Sequence, residues 1–262
     1  MKLVRGHGLG NDYLILTAGQ ALTPALVRAI CDRHTGVGAD GILEPFDTHE
    51  ADYGVRIWNP DGSIAEKSGN GLRIFSRWLV REGAAPHHSL WTGSERVVAH
   101  VEAAAITIAM GRAVIQGVEA LPLADGALEG VVLSVGNPHF VHFCDDPDAL
   151  PWRALGAAIE CHARFPQRTN VQFAQVLSDR TLSLRIWERG AGETQASGSS
   201  SCAVAAAAVH TGRCRSGGIE LRMPGGTLQV NVSASLDLHL RGPAELVGTF
   251  EVDPRWLAAV AP

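Results

Sequence analysis

Arg56 to Gly69 reads RIWNPDGSIAEKSG, and Arg185 to Gly198 reads RIWERGAGETQASG. Set side by side, R-I-W and S-G coincide at one offset, 185 − 56 = 129, about half of the 262 residues. A second echo precedes each: Gly10-Asn11 in GLGNDYLIL and Gly136-Asn137 in VGNPHFVHF, 126 residues apart. Two matches in the same order, at nearly the same offset, identify an internal duplication. Domains of roughly 100 to 150 residues are the commonest size, so two similar domains are expected.

Each half reads as β-rich around one helix. DYLILT, DYGVRIW, RVVAHV and AITIAM in the first half, and VVLSV, FVHF, NVQFAQV, LSLRIW, IELRM and TLQVNV in the second, alternate or carry β-branched runs as strands do. The MPGGT between the last two reads as a tight hairpin turn. GLRIFSRWLVREG and SSSCAVAAAAVHTG are helical and stop at Gly83 and Gly212, glycine in the usual position past a helix end. The second has no polar face and must be surrounded by protein. The fold class expected is therefore α/β: two pseudo-symmetric lobes, each a curled, mainly antiparallel sheet around a central helix. Residues 1–112, completed by 250–262, make the N-terminal lobe, residues 113–249 the C-terminal lobe, and the active-site cleft lies between them.

Composition narrows the function. A hydrophobic content of 46% with 19% charged residues is that of an ordinary globular chain with a real core. The net charge of −5 and scattered Lys and Arg exclude the basic footprint of a nucleic-acid binder. No apolar leader opens the chain and no run approaches the roughly 18 apolar residues that span a bilayer, so a cytoplasmic protein without membrane contact is expected. The five cysteines form no C-x-x-C pair and are odd in number, against both a zinc site and a disulfide framework. GVGADG, Gly36 to Gly41, matches a dinucleotide-binding spacing but follows a helical run, ALVRAICDRH, so that motif is rejected.

What remains is the repeated Ser-Gly step ahead of each helix. Two helix N-termini facing one cleft would hold an anion such as a carboxylate, through donors around Gly69-Asn70-Gly71 and Gly198-Ser199. One side chain from each lobe, on opposite sides of that anion, suits removal of a proton from one face of a carbon and its return to the other. A serine ahead of a helix also reads as a plain N-cap, Asn59 as a turn residue, and Glu188-Arg189 as a solvated pair.

At this point the sequence resembles the diaminopimelate epimerase family. HGLGNDYLIL, RHTGVGADGI, RIWNPDGSIAEKSGNGLR, GNPHFV, RTNVQF, ERGAGET and ASGSSSCA carry the likeness, in order, over nearly the whole chain. The resemblance implies a cofactor-independent, metal-free amino-acid isomerase of lysine and peptidoglycan-precursor synthesis, interconverting LL- and meso-diaminopimelate, an amino acid with two carboxylates. By motif, Asn11, Asn59, Asn137, Asn170, Glu188 and Arg189 match positions that hold the distal end of the substrate. Gly69, Asn70, Gly198 and Ser199 match those whose N–H groups grip the reacting carboxylate, and His139 and Glu188 match groups flanking the reacting centre. Whether such a chain forms a homodimer is left open.

The chain departs from the family where the chemistry is done. The residues before the two glycines are cysteines in the family, a thiol and thiolate serving as acid and base; here they are Ser68 and Ser197. A glycine usual after the later step is Ser200. A thiol ionises near 8.5 and a hydroxyl near about 15.7, so forming the base costs some seven units more, roughly 10 kcal/mol as an upper bound. Three readings follow: an epimerase of weak or altered activity, an amino-acid-binding or repurposed homologue (a dehydratase or another racemase included), or a site altered from cysteine to serine to trap substrate.

Overall fold

In the computed structural model, which describes residues 1–124 and 126–260, each R-I-W segment lies near the end of a strand and each Ser-Gly step starts a helix. Among the described residues there are five α-helices and both parallel and antiparallel strand pairs, an α/β fold. The chain divides into two units, Met1–Ile108 with Gly242–Pro262, and Ala109–Arg241.

The first unit runs β1 (Lys2–Gly8), β2 (Asn11–Ala18), α1 (Pro24–Cys31), β3 (Ile42–Phe46), β4 (Tyr53–Trp58), α2 (Gly69–Arg81), β5 (His87–Trp91), β6 (Arg96–Val101) and into β7 (Ile106–Arg112). The second holds β8 (Val114–Leu123), β9 (Gly126–Ser134), β10 (Pro138–Phe143), a 3₁₀ turn at Pro147–Ala149, α3 (Trp152–Glu160), β11 (Asn170–Ser178), β12 (Thr181–Glu188), β13 (Gly192–Thr194), α4 (Gly198–His210), β14 (Gly217–Met223), β15 (Gly226–Val232) and β16 (Asp237–Gly242). The chain then ends in β17 (Glu245–Glu251) and α5 (Pro254–Val260). The first unit takes the chain back at Gly242, where 250 was expected, because β17 pairs with β1 from Lys2–Glu251 to His7–Glu245.

Strand order within the first unit is β17-β1-β2-β3-β4-β5-β6-β7, and within the second β8-β9-β10-β11-β12-β14-β15-β16. Read along either, the pairings are antiparallel, antiparallel, parallel, antiparallel, parallel, antiparallel, antiparallel. The register repeats as well. Ile42 stands opposite Trp58 and Val171 opposite Trp187, each partner 129 residues on. Leu14 stands opposite Ile42 and Phe140 opposite Val171, at offsets of 126 and 129. A one-residue slip would move every side chain of a strand to the other face, so the two offsets seen in sequence are held residue by residue in the sheets.

The two 13-residue helices are built alike. α2 packs on β1, β2, β6 and β17, and α4 on β9, β10, β11, β14 and β15. All of Ser200 to Ala208 is buried, as the apolar circumference of α4 requires. Both helices end the same way. Gly83 (φ 102°) donates to Val80 O and Ala84 N–H to Leu79 O; Gly212 (φ 71°) donates to Val209 O and Arg213 N–H to Ala208 O. This is the left-handed cap that satisfies the last carbonyls and that glycine adopts without strain. MPGGT forms the expected tight turn, closing β14 on β15 where Met223 meets Gly226. No helix among the described residues is long and apolar enough to cross a membrane.

Candidate active site

Ser68 ends the loop after β4 in extended conformation (φ −135°, ψ 111°), which turns its side chain back onto the first turn of α2. Its Oγ accepts from Gly71 N–H at 3.0 Å, an N-cap bond of the kind worth about 1 kcal/mol. It accepts a second hydrogen bond, also 3.0 Å, from the Tyr13 hydroxyl on β2. A serine oxygen has two acceptor positions. With both taken, the serine's own proton is directed elsewhere.

The donors around Ser68 are set in a polar network. Asn70 Nδ2 donates to Asn11 Oδ1 at 3.0 Å, and Asn11 Nδ2 to Asp40 at 2.8 Å. Arg33 bridges Asp40 and Asp12, 2.6 Å from each, and Arg5 pairs with Asp12 as well. Arg73 is fully buried and donates to Asn70 Oδ1 (2.7 Å), Gly69 O (3.2 Å) and Pro243 O (3.2 Å). A guanidinium one turn into α2 adds fixed positive charge to the positive end of the helix dipole. Asn59 bonds Ser63 twice, from its backbone N–H and from Nδ2, both at 2.9 Å, which are the contacts of a turn.

Ser197 has the same extended backbone (φ −142°, ψ 128°) ahead of α4, but a different partner. Its Oγ accepts weakly from Ser200 N–H at 3.4 Å and donates to the Glu188 carboxylate at 3.2 Å. Ser199 Oγ lies 3.4 Å away. Glu188 and Arg189 do not stand as a solvated pair; both are half-buried, and the strand end carrying them is pinned from two sides. Asn170 accepts from Arg189 N–H at 3.0 Å while donating to Pro138 O at 2.9 Å. Buried Glu160 accepts from Gly190 N–H and from Trp187 Nε1, each at 2.8 Å. So the proton of Ser197 faces a carboxylate, whereas Ser68 receives one from a phenol.

His139 is wholly buried on β10. Gln172 Nε2 donates to its Nδ1 at 3.1 Å and also to Ser200 Oγ at 3.0 Å, so the serine standing in place of the usual glycine is tied to the imidazole through one amide. With Nδ1 accepting, the ring proton is on Nε2 and goes to Asn137 Oδ1 at 2.9 Å. Burial pushes the His139 pKa down to about 3, and the Arg189 charge adds to the fall. A neutral imidazole of so low a basicity is a donor and a spacer, and a poor base. Two of the thiols, Cys31 and Cys144, are made still weaker acids by burial, which pushes them up to about 12 and about 11.

The His139 environment predicts a pH dependence of stability. The unfolded chain takes up the proton near 6.5 and the folded chain only near 3. Between those values the unfolded state binds more protons, so stability is lost as pH falls below the unfolded value. The loss from His139 alone is about 2 kcal/mol between pH values of about 7.5 and 5. Thermal denaturation at the two pH values should give a difference that narrows by that amount in His139→Asn. Buried His88 is shifted in the same direction and keeps its own share. A difference unchanged in His139→Asn would mean that His139 is charged in the folded protein.

Among the residues at the site that lie outside the expected set are Tyr13, Gln172 and Glu160. Tyr13 had a signal. At the 126-residue offset, Gly10-Asn11-Asp12-Tyr13 aligns with Gly136-Asn137-Pro138-His139, so Tyr13 occupies in β2 the place of His139 in β10. Gln172 and Glu160 act through contacts of long sequence separation that no local pattern announces.

Comparison with known proteins agrees with this architecture. The pattern of the family described as diaminopimelate epimerase matches residues 3–116 and 131–247. Diaminopimelate epimerase 2 of Nostoc sp. is 41% identical over 263 residues, covering 92% of this chain and 90% of its own. The diaminopimelate epimerase of Moorella thermoacetica is 35% identical, covering 97% and 100%. Among solved structures, a PhzF-family phenazine biosynthesis protein of Bacillus anthracis superposes with a TM-score of 0.76 at 15% identity, covering 97% and 99%. A hydroxyproline epimerase from Agrobacterium vitis gives 0.73 at 16%, covering 97% and 92%; both likenesses speak to the fold alone. With the sequence likeness running through both repeats, the chain belongs to the diaminopimelate epimerase family.

Proposed function

We propose that this chain is a cofactor-independent amino-acid isomerase that inverts the α-carbon of diaminopimelate, working in the cytoplasm at a rate reduced by its two serines. The two units act as pseudo-symmetric lobes, each a curled sheet around its central helix, α2 in one and α4 in the other. The reacting carboxylate is held by N–H groups of Gly69, Asn70, Gly198 and Ser199, where helix dipoles favour an anion. Asn11, Asn59, Asn137, Asn170, Glu188 and Arg189 hold the distal amino-acid end, Asn11 and Asn170 in part by fixing their neighbours. Ser68 and Ser197 serve opposite faces of the α-carbon, one taking its proton while the other returns one.

The observation that carries this reading is the matched placement of Ser68 and Ser197. Each is the side-chain N-cap of a largely buried 13-residue helix, at the same point of two strand arrangements with the same order and register. Ser197 also donates to Glu188, the kind of adjacent base that serine needs to act on a proton. That contact favours an enzyme over a protein that merely binds an amino acid.

Binding is the first test. A ligand of the folded state at about 100 times its Kd stabilises by about 2.7 kcal/mol, which for a chain of this size is a thermal shift on the order of 5–10 °C. LL- or meso-diaminopimelate should produce such a shift. Arg189→Ala should abolish it, since an arginine is the natural bidentate clamp for a distal carboxylate. A shift with diaminopimelate and no α-proton exchange would leave a binding protein; no shift with any of a panel of amino acids would sink both.

A further inference from the structure

We propose that Tyr13 is a proton relay for Ser68, supplying the acid-base power on one face that the hydroxyl lacks. The proposal rests on the reading that Ser68 acts at the α-carbon of the substrate. Its basis in the structure is the 3.0 Å hydrogen bond from the Tyr13 hydroxyl to Ser68 Oγ, with Gly71 N–H on the other acceptor position of the same oxygen. Tyr13 is buried and its ring has a made place. A Cβ on Gly41 would come within 2.6 Å of Tyr13 Cε1 and 3.0 Å of Cδ1, so the aromatic ring lies where only glycine leaves room. Ser68 itself is half-buried, with its proton turned away from both donors.

The chemistry balances without any further reactant. When Ser68 acts as acid, its O–H bond breaks and the proton forms a C–H bond with the α-carbanion. The Tyr13 O–H bond then breaks, restoring the Ser68 hydroxyl and leaving a phenolate. In the reverse sense the Tyr13 phenolate takes the Ser68 proton as Ser68 Oγ takes the α-proton, and the C–H electron pair stays on the substrate. The net transfer is between carbon and a phenol, a stronger acid than an alkyl hydroxyl, so the relay recovers part of the gap of about seven units between a hydroxyl and a thiol. The duplication makes the arrangement intelligible. In the second unit the proton partner of the serine is Glu188, at the end of β12; in the first the aligned residue is Asn59, held in its turn, and the partner comes from β2 instead.

The test is a double-mutant cycle read by α-proton exchange in deuterium oxide across the phenol range, up to about pH 10. Exchange in the unaltered protein should climb with pH through that range. Tyr13→Phe should lower it by about 10²-fold and flatten the climb. The loss should be at least about tenfold smaller in the Ser68→Cys background, because a thiol titrates by itself. Equal losses in both backgrounds, or a pH profile that Tyr13→Phe merely scales down, would make Tyr13 a structural support and overturn the relay. The thermal shift with diaminopimelate, kept in Tyr13→Phe, separates loss of chemistry from loss of fold.

A readout without turnover covers failure of the substrate reading. The chain has only two tyrosines, Tyr13 and Tyr53, so phenolate absorbance in the unaltered protein minus that in Tyr13→Phe reports Tyr13 alone. Ser68→Ala removes the oxygen that receives the Tyr13 proton and should displace that titration. A titration unmoved by Ser68→Ala would overturn the relay, whatever the substrate.

Discussion

Ser68→Cys combined with Ser197→Cys is expected to raise α-proton exchange of diaminopimelate by about three to four decades. The unaided difference between hydroxyl and thiol is some seven pKa units, an upper bound of roughly 10 kcal/mol. Helix N-termini, partial proton transfer and the partners Tyr13 and Glu188 recover a share of it; if that share is half, about 5 kcal/mol remains, which is the stated change in rate. Either single reversion should give much less inversion, because the opposite face still lacks a partner of matching strength. Proton exchange in deuterium oxide and optical inversion are measured together, so a variant that exchanges without inverting identifies the deficient face. Should the unaltered chain already turn over at an ordinary enzymatic rate, of order 10 per second, the thiol would not be what limits it, and the partners of the serines would have to carry nearly the whole of the chemistry.

The sequence makes some of this visible and hides the rest for physical reasons. The duplication was legible because R-I-W and S-G sit where sheet register and helix start must both be met, and register is unforgiving. Strands that alternate, such as β6, β12 and β15, declared themselves. β1 did not, since Gly6 and Gly8 interrupt it. Yet Gly6 is there for packing: a Cβ would come within 2.7 Å of Ile74 on α2 and 2.8 Å of Glu245 O on β17. β17 was missed with it, which moved the expected return of the chain to the first unit from Gly242 to 250. At the site, cap positions such as Ser68 and Ser197 follow from helix rules, and the asparagines entered by resemblance. What local pattern could not give is the sense of each hydrogen bond. Only the fold distinguishes a serine that receives a proton from Tyr13 from one that gives its proton to Glu188.

That difference in sense leads to the second large effect. Glu188→Gln should lower exchange by about 10²- to 10⁴-fold, the range spanned by a positioned acid or base. The amide can still accept the Ser197 hydrogen bond at the 3.2 Å seen for the carboxylate, so the cap and the loop held by Asn170 and Glu160 should survive. What the amide cannot do is take the proton and keep it. The loss should therefore depend on the isomer supplied. With LL- and meso-diaminopimelate assayed separately for initial loss of the α-proton, Glu188→Gln should strike hardest the isomer whose proton leaves towards Ser197, and Tyr13→Phe the other. In the Ser197→Cys background the Glu188→Gln loss should shrink, since a thiolate near a helix N-terminus forms without a carboxylate to receive its proton. Equal losses for both isomers, in both backgrounds, would place Glu188 among the groups that hold substrate and remove it from proton transfer. Loss of the diaminopimelate thermal shift in Glu188→Gln would report its part in holding the substrate, and leaves the isomer dependence to decide its part in proton transfer.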